Sequence, residues 1–255
     1  MLDLPRYRVA AQAAVIHSVC TVLVAALAAW LVFGVWYAYP YRELSGGREL
    51  FLLVVVADVV CGPLLTFVLF NPQKTRKELW VDLSLVALIQ LAALGYGVWT
   101  VWQARPLYLV HELDRYKVIS APDVEAEALK ALPAHLKPQF WAGTQTVSIR
   151  PPKNAEEHNK VLFDAATGGR DYGARPEFYI PYDGEAALKA LLRAKPLSVF
   201  LSRYPDQQVV VQEIAIKKGR DVKEWMFLPV MARQDWVAII DKQGLIIGFL
   251  PGDGF

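Results

Sequence analysis

"LFLLVVVADVVCGPLLTFVLFNPQK", residues 50–74, decides the fold. It is apolar for long enough to cross a bilayer, which takes roughly 20 helical residues, yet Asp58 stands near its middle. Two runs of the same kind flank it. From about Val9 to Tyr37 no Asp, Glu, Lys or Arg interrupts the chain, and from about Leu79 to Trp102 the one charge is Asp82, close to the end and in reach of Lys77 or headgroups. Three transmembrane helices are therefore expected. Aromatic residues gather at their ends, with Trp36, Tyr37, Tyr39 and Tyr41 after the first, Trp80 opening the third, and Trp99 and Trp102 closing it. Such rings favour the headgroup level. The first run carries Arg6 and Arg8 before it and an "ALA" at 26–28, as a signal peptide would. Its apolar stretch continues through Trp36, well past the length of a signal-peptide core, so it is expected to be retained.

The rest of the chain is different. Of 25 acidic residues in the 255, six precede residue 104 and nineteen follow it. The 55% hydrophobic content, high for a soluble protein, is thus concentrated in the first part. Two domains are expected: a three-helix transmembrane part, 1–103, and an α+β domain with an antiparallel sheet, 104–255. A net charge of +2, with no basic face and no nucleic-acid motif, points away from DNA and RNA. Cys20 and Cys61 lie inside the apolar runs and read as small packing residues.

Lys and Arg in short loops set the direction of insertion. Arg6, Arg8, Lys74, Arg76 and Lys77 fall on one side of a three-span chain; Arg42, Arg48 and Arg105 fall on the other. This places the N-terminus in the cytoplasm of a bacterial inner membrane and residues from about 104 onward in the periplasm. Counted from the cytoplasmic end at about 1.5 Å per residue, Asp58, Thr21 and Gln90 reach nearly the same depth, with His17 somewhat nearer the cytoplasm. A carboxyl group in hydrocarbon is costly unless partnered and facing a bundle interior. Asp58 is expected to face its neighbours as a neutral acid and to bond Thr21 or Gln90. This is either interhelical glue or a receptor for a polar group on a partner's membrane helix; a proton path would need a second well-placed acid. Pro63 removes a helical hydrogen bond and is expected to kink the second span, while Gly62 admits another helix closely.

In the second part, "ARPLYLVHELDRYKVI" reads as extended. "VEAEALKALPAHL" reads as a short helix stopped near Pro133, and "PKNAEEHNKVLFDAATGG" as a helix containing Lys153 to Phe163. "DGEAALKALLRAKP" is a helix with Ala187, Leu188, Leu191 and Leu192 on one stripe. "PDQQVVVQEIAIKKG" leans to helix, with Gly219 after its basic end, and the last thirty residues read as strands joined by turns at "RQD" and "DKQG". No metal-ligand spacing links His17, His111, His135 and His158, and no hydrolase, nucleotide or metalloprotease motif occurs. No catalytic residue, metal or cofactor is expected, and His111 reads as an ordinary satisfied histidine.

The three spans, the second-span motif, "ALIQLAALGYGVWTVWQARPLYLVHELDRYKVI" and the ending "FLPVMARQDWVAIIDKQGLIIGFLP" together resemble the type IV pilin accessory family (TfpX/TfpZ-like). The resemblance is strongest at Asp58, Gly62, Pro63, Asn71, Pro72, Gln90, Arg105, Pro106, Tyr108, Asp114 and Arg115, and at Asp235, Trp236 and Asp241. It implies a non-enzymatic inner-membrane helper, or chaperone, for assembly of a type IV pilin, its spans meeting the pilin's apolar helix and its periplasmic domain the pilin head. The alternative is a membrane-anchored sensory or ligand-binding module that acts through a partner.

Overall fold

The computed structural model describes residues 4–218 and 221–255. The chain forms two compact units, Met1–Val35 with Gly47–Gln103, and Trp36–Gly46 with Ala104–Phe255.

The first unit is helical. Its elements are α1 (Leu4–Leu31), continued by a π turn over Val32–Trp36, α3 (Gly47–Leu69) and α4 (Arg76–Gln103). The short α2 (Tyr41–Leu44) between the first two belongs to the second unit. Three stretches, Arg6–Trp36, Gly47–Leu69 and Arg76–Gln103, are long and apolar enough to cross a membrane. Helix satisfies the backbone of such runs from within, which hydrocarbon demands. α4 begins at a reciprocal cap: Thr75 N–H donates to Glu78 Oε2 at 2.8 Å and Glu78 N–H donates to Thr75 Oγ1 at 3.3 Å. Asp82 pairs with Lys74 at 2.5 Å, the neighbour across the turn, in place of the expected Lys77. Helix α3 runs through Pro63 without a break in its assignment.

Helix α3 is the middle one, because α1 and α4 each pack on it and scarcely on each other. Its described buried residues are Gly47, Phe51, Asp58, Gly62 and Thr66, a single seam at helical spacing, whereas Leu53, Val56, Val60, Leu64 and Val68 are exposed. Close approach depends on two glycines. A Cβ on Gly97 would stand 2.4 Å from Val54 Cγ1, and one on Gly62 2.0 Å from Gln90 Nε2.

The second unit is built on an eight-stranded sheet: β1 (Pro106–Glu112), β2 (Arg115–Ser120), β3 (Gln145–Ile149), β4 (Tyr179–Pro181), β5 (Lys195–Pro196), β6 (Met226–Met231), β7 (Trp236–Ile240) and β8 (Ile246–Pro251). The order is β4-β3-β1-β2-β6-β7-β8, with β5 on β6. The expected antiparallel sheet is in fact mixed, since β1 pairs with β3 and β2 with β6 in parallel. Long helical connections permit parallel pairing; α6 to α9 lie between β3 and β6. The β1–β2 hairpin turns at Leu113, φ +47°, and the tail is a meander of β6, β7 and β8 as its turn residues predict. Around the sheet lie α5 (Ala126–Ala131), α6 (Ala155–Ala166), α7 (Gly184–Leu191), α8 (Leu197–Arg203) and α9 (Gln208–Lys218). The helix expected over 208–218 is present; Gly219, its expected stop, lies outside the described residues.

One sequence expectation needs correcting. The buried face of α7 is Ala186, Ala187 and Ala190, while Leu188 and Leu192 are exposed. The approach is too close for leucine: a Cβ on Gly244 would come 2.1 Å from Ala187 O, so small residues face the β7–β8 turn. Residues 36–46, whose aromatics are expected near the headgroup level, pack within the second unit. Tyr41 and Leu44 share a core with Leu109, Tyr116, Leu228, Trp236 and Ile240, and Arg233 N–H donates to Leu44 O at 3.1 Å. Trp36 and Tyr37 are buried as well, and only Tyr39 of the four stays exposed.

Candidate functional site

The helical unit carries its polar groups in two places. At the first, Gln90 Nε2 donates at 2.9 Å to the backbone carbonyl of Asp58. The expected partner is therefore present, but it bonds the main chain and not the carboxyl group. Thr21, half-buried on α1, is not a partner of Asp58. Gly62, one turn after Asp58, leaves the space that the Gln90 side chain occupies, and Pro63 beside it is half-buried. Gly62 and the main-chain carbonyl of Asp58 thus accommodate Gln90 and join α4 to α3. Interhelical hydrogen bonds of this kind contribute about 0.6–2 kcal/mol.

At the second place, His17 Nδ1 and Thr66 Oγ1 lie 2.5 Å apart across α1 and α3. Thr66 is buried at 2% exposure and was not singled out from sequence, although it follows Asp58 and Gly62 at spacings of four along the same seam. That spacing was the available signal. This pair lines a groove of about 480 Å³ whose other walls are Ala13, Ile16 and Cys20 of α1, and Trp80, Leu83, Ser84 and Ala87 of α4. The groove exists because α1 and α4 both lean on α3. None of Asp58, Thr21, Gln90, Gly62 and Pro63 lines it. Cys20 and Cys61 are free and exposed on their helices, where a packing role was expected.

The residues that carried the family resemblance outside the spans mostly build turns and core. Asn71 Oδ1 accepts from Gln73 N–H at 3.1 Å in the α3–α4 turn, with Pro72 exposed beside it. Asp241 is buried at the β7–β8 turn, its Oδ1 accepting from Gln243 and Leu245 N–H, both at 3.0 Å. Asp114 and Arg115 pair at 2.8 Å in the β1–β2 hairpin, and the Arg115 guanidinium lies 4.8 Å over the Phe255 ring. Tyr108 donates its hydroxyl to Leu136 O at 2.7 Å; Pro106 and Arg105 are buried before it. Asp235 O accepts from Gly252 N–H at 2.9 Å, and Trp236 lies in the core.

The second unit has a larger crevice, about 770 Å³, lined by residues that include Asp123, Glu125, Lys160, Asp164, Arg170, Arg175 and Glu177. Arg170 pairs with Glu125, and Arg175 with Asp164 at 2.5 Å, so these arginines are neutralised within the fold. Among the described residues no three His, Cys, Asp or Glu side chains converge as a metal site.

Comparison with known proteins joins this architecture to a family. "Fimbrial assembly protein, serogroup I" of Dichelobacter nodosus is 38% identical over 254 residues, 98% of both chains, and the serogroup E1 protein of the same organism is 36% identical over the same span. The chain belongs to the fimbrial assembly protein family. A further member, for serogroups C1 and C2, is 45% identical over 124 residues, 49% of this chain and 95% of its own length. A family profile described as "Fimbrial assembly protein FimB" matches residues 5–46, which are α1 and the segment that enters the second unit. No solved structure matches.

Proposed function

We propose that this protein is a non-enzymatic assembly factor of a type IV pilus, and that its α1–α3–α4 groove receives the apolar helix of a pilin waiting in the inner membrane. The groove carries the reading: a trough of about 480 Å³ between α1 and α4, lined mostly by apolar side chains, with the His17–Thr66 pair in it. An apolar helix seated there would bury its side chains between α1 and α4, and any polar group it carried would meet the hydrogen-bonding side chains that line the trough, His17, Thr66, Ser84 and Trp80 among them. Relatives of nearly full length named fimbrial assembly proteins support the biological setting.

The orientation belongs to the same reading. The loop basic residues favour a cytoplasmic N-terminus. Residues 36–46 and 104–255 share one unit, as they must if α3 and α4 carry the chain across and back between them. The second unit then stands in the periplasm, where a pilin head would be.

A photo-reactive residue replacing Ala87, in the groove, should crosslink to the pilin in piliated cells. One replacing Ile89, exposed on the opposite side of α4, should not. No pilin adduct at 87, or equal adducts at both positions, would remove the groove from the mechanism.

A further inference from the structure

Trp141 is among the most exposed large apolar side chains of the second unit, at 70%, and Phe140 beside it is 43% exposed. The two rings meet edge-to-face at 4.8 Å. They sit in an irregular segment, 137–144, that is fastened at three points. Trp36 Nε1 donates to Phe140 O at 3.1 Å, with the Trp36 and Phe140 rings 5.4 Å apart. Thr144 Oγ1 donates to Pro106 O at 3.3 Å. Tyr108 donates to Leu136 O at 2.7 Å.

The identity of the fastening residues is what matters. Trp36 is the last residue of one candidate span, and Pro106 comes three residues after Gln103, the last of another. Both fastening residues adjoin candidate spans in the chain, so on the transmembrane reading given above the segment is tied close to where the chain leaves hydrocarbon. A tryptophan fixed there has its apolar body and its indole N–H matched to the acyl–headgroup boundary. Lys137, exposed at the start of the segment, suits the phosphates at the same depth.

We infer that the 137–144 segment, led by Trp141 and Phe140, is a membrane-interface anchor that seats the second unit on the lipid surface, its occupant being the acyl–headgroup boundary. This rests on the transmembrane reading given above. The anchor limits rotation of the second unit over the bilayer, so that whatever face it offers a partner is held at constant height.

The test uses the full chain with both cysteines replaced (Cys20→Ser, Cys61→Ser) in phosphatidylethanolamine–phosphatidylglycerol nanodiscs. A nitroxide is placed singly through Ala142→Cys, Leu192→Cys or Leu23→Cys, and its accessibility to oxygen is compared with that to a water-soluble nickel chelate. Ala142 is exposed beside an intact Trp141, Leu192 is 84% exposed after α7, and Leu23 is 61% exposed midway along α1. The oxygen-to-chelate ratio at 142 should lie several-fold above that at 192 and below that at 23. If 142 matches 192 while 23 reads hydrocarbon, the anchor is refuted and the spans stand. If 23 also reads water, the transmembrane reading falls and takes the anchor with it.

Discussion

The described buried positions of α3 are Gly47, Phe51, Asp58, Gly62 and Thr66; those of β7 are Trp236, Val237, Ala238, Ile239 and Ile240. Along α3 the interior is mostly small or polar and the exterior mostly Leu and Val. In the second unit the arrangement is the ordinary one for water, with Phe227, Leu228, Phe200 and Trp225 fully enclosed. On the transmembrane reading proposed above, the difference follows from the solvent each surface meets. Lipid supplies no hydrophobic drive for helices to associate, so α3 is held by close approach and hydrogen bonds. Water drives the sheet and its helices together by excluding apolar area.

Matched truncations would break this comparison most visibly. Phe227→Ala should cost the full chain about 3–5 kcal/mol, the price of a buried aromatic and the cavity it leaves, read as a large fall in thermal midpoint of the second unit. Leu53→Ala removes a residue 74% exposed on α3 and should leave the midpoint nearly unchanged in lipid nanodiscs. A comparable loss from Leu53→Ala would show that this face packs against something other than lipid.

Glycine exchanges come next in size. Gly62→Leu drives a side chain into the space of Gln90, whose Nε2 would lie 2.0 Å from the new Cβ, and so parts α4 from α3 and releases the Asp58 carbonyl. Overpacking of this kind costs about 1–3 kcal/mol. Gly95→Leu, where a Cβ meets nothing within 4 Å, should be silent. Protein level in membranes and detergent midpoint would separate them. Equal behaviour would mean that the α3–α4 contact does not govern the stability of the helical unit.

What could be read in advance follows the same divide. The long apolar helices and the β6–β7–β8 tail are local signals, apolar length in one case and alternation between turn residues in the other, and both sets of elements are present. Three features are tertiary. Parallel pairing of β1 with β3 is invisible in a pattern that marks a strand but not its neighbour. Residues 36–46 have the aromatic content of a membrane boundary, and only the partners Leu228 and Trp236 reveal a core segment. Asp58 drew the eye as the one carboxyl deep in a span, while the groove is floored by Thr66, whose hydroxyl is unremarkable in composition and important only because His17 reaches it. Charge marks cost; it does not mark where a cavity opens.

The smallest expected effect concerns a group that is buried in the watery unit yet titrates. His111 is 4% exposed, its Nδ1 3.3 Å from Ser148 Oγ, its Nε2 without a hydrogen-bond partner, and its ring against Tyr116 and Tyr182 at 5.4 and 5.9 Å. Burial holds its pKa below the usual 6.5; the Leu113 backbone and the Asp114 carboxylate act in the opposite sense and do not overcome it. The unfolded chain therefore takes up the proton first as pH falls. Stability is fully present above about 6.5 and declines as pH drops toward the lower folded-state value, by at most about 1.4 kcal/mol for each pH unit between the two. His111→Phe keeps a ring among the tyrosines and removes the titration. Its thermal midpoint should fall less than that of the wild type between pH of about 7.5 and about 5.5, a window in which histidine is the side chain that changes charge. Parallel slopes for the two proteins would show that His111 takes up its proton as readily folded as unfolded, and that the interior of this unit does not penalise the cation as its apolar packing says it should.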